Sequence, residues 1–319
     1  MDHLPRIVLA QACSGLRLPL PQEEVQHLGK VLRLTSGAPL EVLDGTGRAY
    51  AATLEWERRG GCVIVGATIR TEPAPGTIGA LLPRVEIWAP WPKGTRAADA
   101  VGRLAQLGVA AWQPIVTAHT EAEARHDGEG RREKLARVAR EALKQCAGLH
   151  ALAVHPAIDL EDALRRAGQV PADKRTMEHE VMRQQGAAEL PLGSHSQVSP
   201  QVSQGLEVRP SALPNAPTHE REPREPTESI CDFVMDPSAS AWLSSHLDET
   251  LPAAQGCPTT LRLWAGPEAG FSTAEMQALQ AQGWRCVRVS ARILRIETAV
   301  EAAAAIVLER WGARRRLLR

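Results

Sequence analysis

The chain has no net charge, no long hydrophobic run and no closely spaced set of metal-ligating residues. Its 37 basic and 37 acidic side chains cancel, so the formal charge at pH 7 is zero with histidine neutral. A neutral total neither selects nor excludes a nucleic-acid partner, because a basic patch on one face is enough to attract phosphates. No apolar run approaches the roughly 20 residues that a helix needs to cross a bilayer, so no membrane association is expected. The opening residues, MDHLPRIVLAQ, place an acid at position 2 ahead of a short apolar run, and no secretory signal is expected there. Six cysteines are scattered without a C-x-x-C pair, and ten histidines without H-E-x-x-H. That pattern argues against structural zinc, predicts no metal site and fits a reduced, cytoplasmic setting. A Gly-rich turn near the C-terminus lacks the G-K-[ST] ending of a phosphate-binding P-loop.

What is present is the material of a globular core. Hydrophobic residues make up 44% of 319, enough for one large domain or two ordinary ones. Composition divides the chain into regions. The first, residues 1–72, offers a short strand at Arg6–Ala10 and helical spacing over Glu23–Leu34, with Val25, Leu28, Val31 and Leu32 on the apolar side. Strand signals follow at Leu40–Leu43, Arg48–Trp56 and Cys62–Ile69, separated by the turns Asp44-Gly45-Thr46-Gly47 and Arg58-Arg59-Gly60-Gly61. Short strands with glycine turns between them predict a small β-barrel. Thr71–Gly79, with two prolines and two glycines, reads as a linker.

From residue 80 onward strands and helices alternate. Val85–Ala89, Ala111–Val116, Leu149–Val154 and Asp232–Met235 read as strands, and Thr95–Leu107, Arg131–Cys146 and Asp159–Ala167 as helices, with another helix expected to start at Asp236-Pro237. Such alternation predicts βαβ units and a mainly parallel sheet. The second domain, 80–319, is interrupted at 173–229 by a segment with seven prolines and no aromatic residue. It buries too little apolar surface to offset its ordering entropy and reads as a disordered insertion.

Two strand-loop-helix units close the chain. Leu261–Ala265 is a strand, GPEAGFSTAEM a Gly-rich turn, and Ser272 with Glu275 a capping box that opens a helix. Val287–Val289 is the next strand, Ser290–Ile296 a loop with Arg292 and Arg295, and Thr298 with Glu301 a second capping box ahead of an alanine-rich helix. The two loops are expected at the C-terminal ends of adjacent strands, the edge where open α/β sheets bind ligands.

These two stretches, GPEAGFSTAEM and SARILRIETA, resemble the paired signature of the ribosomal RNA small subunit methyltransferase E family, of the SPOUT class of RNA methyltransferases. HLGKVLRLTSG and EVLDGTGRAYAATL resemble that family's N-terminal PUA-like RNA-binding barrel. PKGTRAADAVGRLAQLGVAAWQPIVT and AREALKQC resemble the opening of its catalytic domain. The resemblance covers nearly the whole chain outside the insertion. The sequence departs from the pattern at Ala269 and Ser290, where glycines are usual, at Gln106, where Glu is usual, and at Gly148, where Arg is usual.

The resemblance implies an α/β fold: a C-terminal SPOUT domain, a parallel sheet whose C-terminal part threads into a trefoil knot, preceded by a small PUA-like β-barrel. It implies S-adenosylmethionine as cofactor and methylation of N3 of one uridine in 16S rRNA of the small ribosomal subunit, by a homodimer. Carried onto this sequence, the cofactor would meet Leu263, Gly266, Pro267, Glu268 and Gly270 from the first loop and Val289, Ser290, Ile293, Leu294 and Thr298 from the second. Arg295 would stabilise charge developing on the base, and Glu268 would orient it or accept its proton. His27, Lys30 and Arg33, spaced three apart on one expected helical face, would contact RNA, as would Lys93 and Arg96. Arg314, Arg315 and Arg316 form a further basic cluster. The departures leave two alternatives open: another SPOUT activity, such as ribose 2′-O methylation, or an RNA-binding protein that kept the fold without the chemistry.

Overall fold

A computed structural model describes residues 4–77, 79–121, 128–168, 229–250 and 259–317. The segment read as an insertion lies, apart from Ser229, outside the described residues, as do the side chains of Arg314, Arg315 and Arg316. The chain divides into two compact units, residues 1–165 with 226–319 and residues 166–225; the elements that position the site belong to the first.

Five strands form the N-terminal sheet: β1 (Arg6–Val8), β2 (Arg17–Pro19), β3 (Pro39–Leu43), β4 (Arg48–Glu57) and β5 (Gly60–Thr71), in the order β1-β3-β4-β5-β2. β1 pairs parallel with β3 and the other pairs are antiparallel. The β3–β4 turn closes because the Asp44 carboxylate accepts hydrogen bonds from the Thr46 and Arg48 amides at 2.7 and 3.0 Å, an Asx turn. Ile7, Leu40, Val42, Tyr50, Leu54, Val63 and Val65 alternate inward to make the core.

The helix expected over Glu23–Leu34 is shorter and less regular. Helix α1 (Gln22–Gln26) gives way to a π-helical turn, His27–Val31, in which the Leu32 amide reaches the His27 carbonyl at 2.9 Å. Gly29 sits there against the Trp56 ring, where an added Cβ would come within 3.2 Å, and Trp56 donates its indole N–H to the Leu34 carbonyl at 2.8 Å. The wider turn changes which residues face the core: Leu28 is buried, but Val31 is 68% and Leu32 41% exposed. Arg33 follows in the left-handed region, at φ 53°. His27, Lys30 and Arg33 therefore do not share a regular helical face.

The second sheet is built from β6 (Arg84–Trp88), β7 (Ala111–Gln113), β9 (Ala153–Val154), β11 (Ser229–Met235), β12 (Thr259–Ala265) and β13 (Arg285–Val287), with a separate parallel pair, β8 (Ile115–Val116) and β10 (Ile158–Asp159). Its order is β13-β11-β12-β6-β7-β9, and every pairing is parallel. Helices α2 (Arg96–Leu107), α3 (Glu129–Cys146), α4 (Leu160–Gly168), α5 (Leu243–Thr250), α6 (Thr273–Ala281) and α7 (Ile296–Leu317) connect and follow the strands. Val85, Ile87, Phe233, Leu261 and Leu263 pack with Val101 and Leu104 of α2 and with Val300, Ala303, Ala304 and Val307 of α7. Ala303 and Ala304 of α7 are thus buried in the chain's own core, while Ala305 is exposed. The alternate strand positions carry a polar-aromatic set instead. Arg262 donates to Asp232 at 2.7 Å, the Trp264 indole donates to the same carboxylate at 2.8 Å, and Trp264 stacks between Trp88 and Trp284.

Two helix starts differ from the sequence reading. Asp236 does not cap a helix; it accepts from the Ser238 amide and hydroxyl at 2.8 and 2.7 Å, and α5 begins only at Leu243. The intervening chain is tied to the β13 extension, by the Arg288 amide to the Ala241 carbonyl and the Leu243 amide to the Arg288 carbonyl. α7 begins at Ile296, ahead of Thr298, and Glu301 bonds Arg103 of α2 at 2.8 Å rather than closing a capping box.

Helix α3 joins the two sheets. Leu143 and Leu149 pack on Leu43 and Ala49, and Lys144 pairs with the buried Glu24 of α1. Arg6 and Arg70 both bind Glu41 and also donate to the Lys144 and Ala147 carbonyls, so they satisfy the open C-terminal end of α3. Burial alone pushes the Glu41 carboxyl up, but the hydrogen bonds from these two guanidiniums outweigh it and hold it below the ordinary carboxylate range. The cap of α3, Ala147, is left-handed at φ 57°, a conformation that suits glycine. Relief of that strain exceeds the added freedom of the unfolded chain, so Ala147→Gly is expected to stabilise the fold by about 0.5–1 kcal/mol. An unchanged or lower urea midpoint would contradict this.

Candidate active site

The candidate site lies at the C-terminal edge of β11, β12 and β13. β11 stands between β12 and β13, so the two motif loops do not leave adjacent strands, and the site gains a third loop from β11. Met235, the last residue of β11, comes with Asp236 and Pro237 of that loop, Ala265, the last of β12, with Gly266–Phe271 of the loop after it, and Val289, Ser290, Arg292, Ile293 and Leu294 of the loop after β13 with Ile296, the first of α7. Together they enclose a cavity of about 300 Å³ with Met276 and Ala299 completing its wall. The size is that of a small-molecule site, and the lining is mostly apolar, with the polar side chains of Asp236, Glu268, Ser290 and Arg292 among it.

The Gly-rich turn owes its two glycines to different causes. A Cβ on Gly266 would stand 2.8 Å from the Phe271 amide nitrogen and 3.0 Å from the Gly270 carbonyl carbon, because the loop returns across its own start. Gly270 has open space but a φ of 75°, and its amide closes a turn onto the Pro267 carbonyl at 2.7 Å. Helix α6 then opens with the expected capping box: the Ser272 hydroxyl accepts from the Glu275 amide and Glu275 accepts from the Ser272 amide.

Of the residues expected around a cofactor, Gly266, Pro267, Glu268, Gly270, Val289, Ser290, Ile293 and Leu294 line this cavity. Leu263 does not: it is fully buried in β12, inside the core. Thr298 lies on the exposed side of α7, outside the lining. Ile293 is 83% exposed at the mouth, unusual for an aliphatic side chain. Arg295 is exposed, lies between the lining residues Leu294 and Ile296, and forms no ion pair with a described carboxylate. Its neighbour Glu297 pairs with Arg96 instead, at 3.3 Å. Arg96 is thereby held to the start of α7. Lys93 pairs with Glu121, which raises the ammonium's pKa, and Glu268 adds to the shift at longer range.

The basic residues of the N-terminal region, His27, Lys30 and Arg33, are exposed beside Val31 and Leu32. Gly148 has a packing reason: a Cβ there would come 3.1 Å from Leu143, one of the residues joining the two sheets. Gln106 donates to Gln145 at 3.2 Å, linking α2 to α3.

Sequence reasoning missed the Met235–Pro237 loop, Phe271, Met276 and a fourth contributor, the turn 117–120. There the Thr117 amide donates to the Thr120 hydroxyl at 2.8 Å, and both threonines are buried. The Ala118 amide donates to Glu275 at 2.6 Å, and the His119 ring nitrogen Nδ1 lies 3.0 Å from the Gly270 carbonyl. Nothing in the local sequence signals these contacts, which span 157 and 151 residues.

Comparison with known proteins agrees with this architecture. The family model described as RNA methyltransferase domain matches residues 81–198 and 223–308, and the one described as RNA methyltransferase PUA domain matches residues 20–65. No curated protein matches the chain. Among solved structures, the chain is similar to the ribosomal RNA small subunit methyltransferase E from Neisseria gonorrhoeae bound to S-adenosyl methionine, at 18% identity and a TM-score of 0.62, over 95% of this chain and 96% of that one. It is similar also to a probable rRNA-methyltransferase from Porphyromonas gingivalis, at 19% identity and a TM-score of 0.63, over 97% and 99% of the two chains. At these identities the likeness is one of fold.

Proposed function

The chain belongs to the RNA methyltransferase family, and from that premise we propose that it transfers the methyl group of S-adenosylmethionine to N3 of one uridine in the 16S rRNA of the small ribosomal subunit. The observation that carries the proposal is the cavity in which GPEAGF and SARILRI, two stretches separated in sequence by α6 and β13, face one another. Its residues fit the cofactor: apolar side chains such as Pro267, Phe271, Val289 and Leu294 suit an adenine ring and a methionine chain, and Gly266 lets the loop after β12 fold back on itself along one wall. When bound, the sulfonium supplies the activated methyl, and the protein's part is to orient and neutralise.

N3 lies between two carbonyls on the pairing edge of the base, so the base must be unpaired or extruded to be reached. As its proton leaves, negative charge spreads onto O2 and O4. Arg295 is the residue assigned to stabilise that charge, since a guanidinium stays protonated and cannot act as base. Glu268, exposed at the cavity wall, is assigned to orient the base or to accept the proton. Lys93 and the exposed His27–Arg33 turn would hold phosphates, which attract cations irrespective of sequence. Arg96, tied to Glu297, would serve RNA binding mainly by holding the Lys93 loop. A homodimer, a C-terminal trefoil knot and a cytoplasmic setting belong to the same proposal, and light scattering on the purified chain tests the first of them.

The deciding experiment supplies labelled S-adenosylmethionine and small ribosomal subunits from cells lacking the modification, then identifies the labelled nucleoside by mass spectrometry. Label on N3 of uridine is expected. Label on a ribose 2′-oxygen would move the chain to another activity of its class, and no label from folded protein would leave it an RNA-binding relative.

A further inference from the structure

We infer that His119 is a positioning residue for the cofactor loop, acting through the Gly270 carbonyl; the inference rests on the cavity being the S-adenosylmethionine site. The loop after β12 has little to hold its rim. Glu268 and Ala269 are exposed, and Gly270 has no atom within 4 Å of where a Cβ would stand. The rim is held instead from outside by the turn 117–120, whose rigidity comes from its own buried threonines: the Thr117 amide and hydroxyl both meet the Thr120 hydroxyl at 2.8 Å, and the Thr120 amide returns to the Thr117 carbonyl.

That turn presents two groups to the loop. The Ala118 amide donates to Oε1 of Glu275 at 2.6 Å, while Oε2 of the same carboxylate holds the Ser272 amide at 2.8 Å. His119 lies with Nδ1 3.0 Å from the Gly270 carbonyl; a carbonyl only accepts, so Nδ1 carries the proton and donates. Glu275 fixes the far end of the loop and His119 fixes the residue whose left-handed backbone sets its direction. The same segment continues to Glu121, which pairs with Lys93, whose carbonyl accepts from Arg96, which in turn holds Glu297 at the start of α7. A belt of contacts outside the cavity thus joins the ends of both motif loops. His119 does not line the cavity, so its effect on the cofactor passes entirely through the loop.

The experiment measures S-adenosylmethionine binding by calorimetry on the full chain, together with hydrogen exchange of the 270–275 amides without cofactor. His119→Ala is expected to weaken binding about three- to tenfold, the range for one lost hydrogen bond, with unchanged kcat at saturating cofactor. Exchange at 270–275 is expected to quicken in the same variant. His119→Asn, whose side-chain amide can occupy the Nδ1 position, is expected to stay within about twofold of wild type, and His119→Gln to behave like alanine. Equal binding and equal exchange in wild type and His119→Ala would overturn the inference. A wild-type chain that binds no S-adenosylmethionine would overturn the cofactor reading, while the exchange result would still decide whether His119 holds the loop.

Discussion

Gly266→Ala is expected to weaken S-adenosylmethionine binding at least tenfold and to lower the melting temperature only modestly. The reason is local. The new Cβ would meet the Phe271 amide nitrogen at 2.8 Å, the Gly270 carbonyl carbon at 3.0 Å and the Gly270 Cα at 3.2 Å. All three are backbone atoms, so no rotamer change relieves the contact and the loop itself must open. The atoms that would move, from Gly266 to Phe271, line the cavity. Overpacking of this kind costs typically 1–3 kcal/mol, and a cofactor that needs the closed loop meets that cost again as lost affinity. Gly270→Ala is the instructive control. Its Cβ would meet nothing, and only its φ of 75° is unfavourable, at about 1–2 kcal/mol. It is therefore expected to lose stability by that amount while keeping most of its affinity. Calorimetric titration with S-adenosylmethionine on both variants distinguishes the two glycines. Equal affinities for Gly266→Ala and wild type would show that loop closure is not what the site requires.

The contrast between these glycines marks how far sequence carries. The stretch GPEAGFSTAEM announces a strand, a turn and a capped helix by rules that act within a few residues, and the structure contains all three. It does not announce that Gly266 is needed for contact and Gly270 for torsion, because that depends on how the loop folds back. The same limit explains the other differences. Glu23–Leu34 has helical spacing, but Trp56, from β4, sits against Gly29 where the helix widens into a π turn. Leu263 belongs to the right strand but points into the core, since alternation assigns a face and sequence does not say which face meets the site. Asp236-Pro237 carries the residues of a helix start, yet the chain first hydrogen-bonds to the β13 extension, a contact set by strand order. That order, with β11 between β12 and β13, is also what adds Met235–Pro237 to the cavity. The Ser272–Glu275 cap and the strand–helix alternation were thus legible, whereas the caps read at Asp236 and Thr298 and the long-range packing, including the turn that carries His119, were not.

Arg295→Gln is expected to lower kcat for methyl transfer by about 10²–10³, the usual loss when one group that stabilises developing charge is removed. Affinity for S-adenosylmethionine is expected to change by less than about threefold, which corresponds to roughly 0.6 kcal/mol. Both expectations follow from position. Arg295 sits between two lining residues but outside the lining itself, and it is exposed, so a bound cofactor loses little when it is shortened. It forms no ion pair with a described carboxylate, because Glu297 is taken by Arg96 and Glu301 by Arg103. The guanidinium is therefore available to a substrate, and its removal leaves no buried carboxylate without a partner. Arg295→Lys should recover part of the rate, since an ammonium supplies the charge but not the planar fork that could meet two acceptors on a base. Arg96→Gln makes the opposite pattern. It frees the buried Glu297 at the start of α7, and its loss should appear as lower stability and weaker cofactor binding before it appears in the chemical step. Single-turnover rates at saturating cofactor separate the two variants. A normal rate with weakened cofactor binding in Arg295→Gln would reassign Arg295 to holding the loop, and the charge developing on the base would then have to be met by backbone N–H groups of the same cavity.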